Sequence, residues 1–261
     1  MLGERAGRNL LLLGIGAALP LAAAPAGALQ IGPGRIMDLV VLIALFAICG
    51  AVHEAAHAWT AWRCGDPTAR DLGRMTLNPI PHIDLFMTIL LPAMLFFGSG
   101  GTMLFGGAKP VPVNFHRLRS PWRDMSLVAI AGPASNVVLA FVFILLWGFF
   151  IKTGLYNQAA ATPVDRIGDF LPLVLLQAVH FNVLLAVFNM LPIPPLDGSR
   201  VMAWILPEGL RPPYLAMERF GLLIIFGLLY LWPEFRRWLH VEVVSASVGR
   251  LIEAVFPWAA S

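Results

Sequence analysis

Four stretches of this chain, Asn9 to Gly34, Leu85 to Ala108, Met125 to Ile151 and Phe170 to Leu196, contain no Asp, Glu, Lys or Arg. Each is long enough to cross a bilayer, which takes roughly 20 mostly apolar residues in a helix. A water-soluble chain of 261 residues needs charge to cover its surface, so a 13% charged share against 58% apolar residues excludes a soluble globule. In lipid every backbone polar group must be paired within the protein. The expected fold is therefore an all-α polytopic membrane protein with about five to six transmembrane helices. The 24 glycines and 21 prolines suit helices that are broken and re-satisfied by neighbours. The net charge is only +3 and no basic stripe is interleaved with aromatics, so no nucleic-acid partner is expected. Cys49 and Cys64 form neither a disulfide framework nor a CxxC knuckle and read as packing residues.

Along the chain, residues 1–35 read as a signal-like or first transmembrane segment, because Arg5 and Arg8 precede an apolar run ending in small residues. A second span runs from about Ile36 to Trp62. If the first span exits, the second returns inward and leaves Arg63, Arg70 and Arg74 on the cytoplasmic side, as the positive-inside rule requires. Leu85 to Phe97 is followed by Lys109, Arg117, Arg119 and Arg123, which also favour the cytoplasm, so a re-entrant or strand-like membrane-associated segment is expected there. Met125 to Ile151 and Phe170 to Met190 form an outward and a returning span, and Phe220 to Pro233 a shorter final one. The main domain is placed at 36–233. The tail, 234–261, mixes charge into an apolar background and is expected at the interface.

The second span contains His53-Glu54-Ala55-Ala56-His57. At 3.6 residues per turn, positions i and i+4 share a helix face, so both imidazoles can reach one ion. In zinc hydrolases with this spacing the ion acidifies water and the carboxylate takes the proton. Placing such a triplet in a hydrophobic helix costs roughly 2.5 to 3.5 kcal/mol for a central charge, which favours an interior site over a chance polar patch. A catalytic zinc wants a third protein ligand. Asp197 is the leading candidate, because it ends a second inward-running span at similar depth, after the Pro-broken stretch Asn189 to Leu196. His82, Asp84, His116 and His180 are rivals. The first three sit beside loops, and His180 reads equally as a bundle-interior hydrogen bonder.

On these residues the chain resembles the site-2 protease family of intramembrane zinc metalloproteases, in its compact bacterial branch without PDZ or CBS domains. The resemblance covers roughly Ile36 to Leu231. It is carried by His53 to His57, by Gly65-Asp66-Pro67-Thr68-Ala69-Arg70 with Gly73 to Pro79, by Ala108 to Asn114, by Ala131-Gly132-Pro133-Ala134-Ser135-Asn136, and by Asn189 to Gly198. It implies that His53, His57 and Asp197 bind one Zn²⁺, that Glu54 is the catalytic acid/base, and that Asn189 helps stabilise the reacting carbonyl. Asn189 reads equally as a cap for backbone groups freed by the prolines, and Asn136 has the same two readings, with interhelical packing favoured over both. The resemblance also implies that the Gly98 to Asn114 region offers a strand edge to substrate.

The expected function is hydrolysis of peptide bonds within or near transmembrane segments of other membrane proteins. The expected location is the cell membrane, multi-pass, with the active site nearer the cytoplasmic side. The partners are then a substrate with a transmembrane segment and the lipid bilayer, with regulation left to a partner protein or to access to the cavity. The competing readings are a non-proteolytic binder of membrane segments, a divalent-cation transporter, and a zinc hydrolase of non-peptide substrates. A transporter needs repeated halves or paired broken helices, whereas only one His-rich helix is present.

Overall fold

The computed structural model describes residues 33–99, 105–153 and 166–257. The first apolar run, within 1–32, lies outside them. The described residues are helical with no strands, an all-α membrane protein. Helix α1 is Pro33–Arg63, α2 is Leu85–Gly98, α3 is Pro121–Lys152, α4 is Arg166–Asn189, α5 is Asp197–Ile205, α6 is Glu208–Leu231, and α7 covers 233–255. Among the described residues three helices are long and apolar enough to cross a membrane: Leu39–Arg63, Pro121–Lys152 and Glu208–Leu231. Leu85–Gly98 and Val174–Asn189 are shorter apolar helices.

The helix ends follow local chemistry. Asp84 caps α2 by accepting from the Phe86 and Met87 amides at 3.0 and 2.8 Å. Pro121 opens α3 where a missing N–H costs nothing. After α4 the prolines at 192, 194 and 195 forbid helix, and the chain turns through short Ile193-to-Leu191 and Leu196-to-Ile193 backbone bonds before α5 starts at Asp197. Gly198 is required there for space rather than for an unusual backbone angle. A Cβ would run into the carbonyls of Met190 and Leu191.

The scaffold is a bundle in which α3 packs against α1, α4 and α5. Its core includes a cluster of Ala140, Ile144 and Trp147 of α3, Leu175, Leu176 and Val179 of α4, and Val248 of α7. The tail, expected at the interface, is helical over 233–255 and buries Leu239, Val244 and Val248. Its Phe256 ring lies 6.2 Å from that of Trp147.

Residues 105–114, where a strand-like segment is expected, form neither helix nor strand. Other motif residues hold this segment in place. The Gly107 amide donates to the Met87 carbonyl at 3.0 Å, the Lys109 amide to the His82 carbonyl at 2.8 Å, and Thr88 Oγ1 to the Gly107 carbonyl at 2.8 Å. Arg74 donates to the Lys109 carbonyl at 2.8 Å, and buried Asp66 accepts from the Asn114 amide at 2.6 Å. Non-helical backbone within a bundle of apolar helices needs pairing like this or a cavity to line, and this segment has both.

Candidate metal centre

On α1, Cys49, His53 and His57 follow one another at i, i+4 and i+8, and on α3 so do Val128, Gly132 and Asn136. The two stripes face each other in opposite directions. His57 Nδ1 lies 2.6 Å from the Val128 carbonyl and His53 Nδ1 lies 2.6 Å from Asn136 Oδ1. Gly132, between them, is where the rings pass closest to α3. A Cβ there would stand 2.6 Å from His53 Cε1 and overlap His57 Nε2. Pro133 interrupts the helical ladder at the same turn, beside the carbonyl that His57 uses.

A carbonyl oxygen only accepts, so His57 donates from Nδ1. With Asn136 Oδ1 facing it, His53 does the same. Each ring then turns a lone pair on Nε2 inward. The two Nε2 atoms are 3.0 Å apart, and Asp197 Oδ2 lies 3.2 Å from that of His53 and 3.4 Å from that of His57. Asp197 Oδ2 is buried with no hydrogen-bond partner. Three lone-pair atoms this close repel unless a cation lies among them. One shared proton relieves a single contact, whereas one central ion relieves all three. A tetrahedral zinc with bonds of about 2.0 to 2.1 Å spaces its ligand atoms by about 3.3 to 3.4 Å, close to the edges of this triangle. The residues present therefore fit a zinc ion, with a fourth position open for water or substrate.

Glu54 is buried beside this triangle, and its Oε2 accepts the Val111 amide at 2.7 Å. His53, Glu54 and His57 place one ligand atom each within 4.8 Å of one another. All four residues line a cavity of about 810 Å³, together with Asn189, residues 105–108, Pro110 and Val111. Asn189 donates from Nδ2 to the Leu185 carbonyl one turn back at 3.0 Å, and that amide nitrogen carries a second N–H.

The rival ligands lie outside the triangle and make structural bonds. His82 is buried with Nε2 at 3.0 Å from the Thr76 carbonyl, Asp84 caps α2, and His180 Nδ1 bonds the Leu176 carbonyl at 3.0 Å. His116 follows Asn114, whose side chain caps the turn at 115–117. Cys64 sits just past α1, and burial, then the nearby Asp124 carboxylate, pushes its thiol pKa up, which suits packing rather than reactivity. Three contributors escaped the sequence reading: the Val128 carbonyl, the space at Gly132 and the Val111 amide. All three act through backbone and leave no side-chain signature. The i, i+4, i+8 stripe on α3 was the available signal.

Two buried imidazoles and a buried glutamate on an apolar helix, faced by a carboxylate from another helix, have the donor chemistry of a metallohydrolase centre. The sequence profile of Peptidase family M50 matches residues 41–177. The chain is 35% identical over 227 residues to a Bacillus subtilis protein named as zinc metalloprotease YwhC, covering 86% of this chain and 95% of that protein. It is 34% identical over 203 residues to a Mycolicibacterium smegmatis protein named as zinc metalloprotease Rip2, covering 78% of this chain and 70% of that one. No solved structure gives a significant match. The chain belongs to the M50 family, the site-2 proteases, and is a membrane metalloprotease with zinc as its cofactor.

Proposed function

We propose that the chain cleaves peptide bonds within or near transmembrane segments of other membrane proteins, with His53, His57 and Asp197 holding one zinc ion. The observation that supports this most is the triangle of 3.0, 3.2 and 3.4 Å between lone-pair atoms next to a buried glutamate. When bound, zinc polarises a carbonyl and acidifies water. Glu54 then accepts the proton of the attacking water and passes it to the leaving amine. The Val111 amide holds one oxygen of the carboxylate in place. Asn189 offers its second N–H to the developing oxyanion.

The main domain, 36–233, carries this machinery between the segment 1–35 and the tail 234–261, within a multi-pass protein of the cell membrane. The site lies nearer the cytoplasmic face. Supporting that orientation, the Arg119 amide donates to the Cys64 carbonyl at 3.0 Å, which brings the basic residues after α1 and before α3 to one edge.

A helical substrate buries its carbonyls in i to i−4 bonds, so the scissile stretch must unwind first. The 105–114 segment beside the cavity, which forms no helix, suits strand addition to the unwound substrate. The test incubates the purified full-length protein in bilayers with single-span substrates carrying graded Gly-to-Ala or Gly-to-Leu replacements around the cut. Each replacement favours helix by about 0.5 to 1 kcal/mol, so cleavage slows by about two- to fivefold per replacement. Equal rates across the series would remove the unwinding requirement, and no cleavage of any single-span substrate would reject the reading.

A further inference from the structure

Asn182 of α4 is fully buried, as are Asn136 and Cys49, and no step above uses it. Its Nδ2 donates to the Ala178 carbonyl at 2.8 Å and to Cys49 Sγ at 3.2 Å, and its Oδ1 accepts from Asn136 Nδ2 at 2.9 Å. An amide can face either way by shape alone, but the Ala178 carbonyl accepts and never donates. That single fact propagates. Asn182 must turn its nitrogen to Ala178, so it shows Asn136 an oxygen. Asn136 must then turn its own nitrogen to Asn182, so it shows His53 an oxygen. His53 is left with one tautomer, protonated at Nδ1.

We propose that Asn182 is a positioning residue for the metal centre, orienting the Asn136 amide so that His53 carries its proton on Nδ1 and presents Nε2 as a ligand. The proposal rests on the reading in which His53 binds zinc. Partners of this kind fix the tautomer, the ring orientation and the basicity of a ligating histidine. The orienting chain is longer than usual, running from a backbone carbonyl of α4 through α3 to α1, and it ties three helices together at the depth of the site. His57 needs no such relay, since a carbonyl faces its Nδ1 directly.

The test uses the full-length protein with ¹⁵N-labelled histidine and two readouts, zinc affinity by chelator competition and the His53 tautomer by nitrogen NMR of the metal-free protein. Wild type is expected to show His53 protonated at Nδ1. Asn182→Leu, close in volume and suited to an apolar bundle, is expected to mix the tautomers and weaken zinc binding by about tenfold. Asn182→Asp keeps an acceptor for Asn136, so it is expected to preserve the Nδ1–H tautomer. His180→Leu, on the same helix, leaves affinity unchanged and controls for general loosening. Either an Nε2–H tautomer in wild type, or wild-type affinity and tautomer in Asn182→Leu, would overturn the proposal. If the variants fail to fold, the wild-type tautomer decides alone. A wild-type chain that takes up no zinc would defeat the metal assignment instead, with the tautomer still deciding the relay.

Discussion

Replacing Glu54 with Gln is expected to reduce proteolysis by about a hundred- to ten-thousandfold while leaving one zinc per chain. The substitution keeps the shape of the side chain and an oxygen able to accept the Val111 amide, now 2.7 Å from the carboxylate. What it removes is the ability to take and return a proton. Fold, metal content and substrate binding should therefore survive together, and only turnover should fall. The comparison also separates a protease from a transporter or a membrane-segment binder that uses the same histidines. Measured as cleavage of a single-span substrate beside metal analysis of the same sample, undiminished turnover would reject the assigned role of Glu54.

Replacing Asp197 with Ala is expected to have the other large effect, on the metal itself. The carboxylate is the only anionic corner of the triangle, and Oδ2 is buried without a hydrogen-bond partner. Disturbing a mere outer partner of a ligand costs up to about a hundredfold in affinity, and loss of a ligand should exceed that. In the metal-free protein the same change removes the acceptor that lies 3.2 and 3.4 Å from the two imidazole Nε2 atoms. It also gives up a favourable charge in the first turn of α5, worth about 0.3 to 1 kcal/mol. Both losses act in the same direction, so the metal-free variant should melt somewhat below the metal-free wild type. Zinc should raise the melting temperature of wild type, because it binds only the folded chain, and should no longer raise that of the variant. A zinc-dependent rise as large as that of wild type would contradict a role for Asp197 as ligand.

How much of this was legible in the residues depends on how local each signal is. His53, Glu54 and His57 stand within one helical turn or so, and their spacing alone puts the imidazoles on one face. Asp197 lies far along the chain, and only the sense of the spans brings it to the same depth. The structure places it there. Asn136 reads from sequence as interhelical packing, and it does join helices, facing His53 of α1 with its oxygen and donating to Asn182 of α4; what stayed hidden is that one of those partners is an imidazole of the site. Which face of α3 meets α1 is a tertiary fact, and Gly132 decides it by leaving room for two rings. The reasons for the motifs at 65–79 and 108–114 were likewise hidden. Asp66 and Arg74 hold the 105–114 segment in place through side-chain bonds to the Asn114 amide and the Lys109 carbonyl, partners far apart in sequence that no local pattern pairs. In the tail, Leu239, Val244 and Val248 are buried at spacings of five and four residues because a π-helical stretch covers Trp238–Ser245. A stripe that widens in this way drifts out of the 3.6-residue period and reads as scattered.

The account stands on one zinc ion held by two imidazoles and a carboxylate from separate helices. X-ray absorption at the zinc edge of the purified full-length protein tests this directly. The expected spectrum shows a single zinc with two imidazoles and oxygen ligands at about 2.0 to 2.1 Å. A sulfur shell at about 2.3 Å, or fewer than two imidazoles, would contradict it.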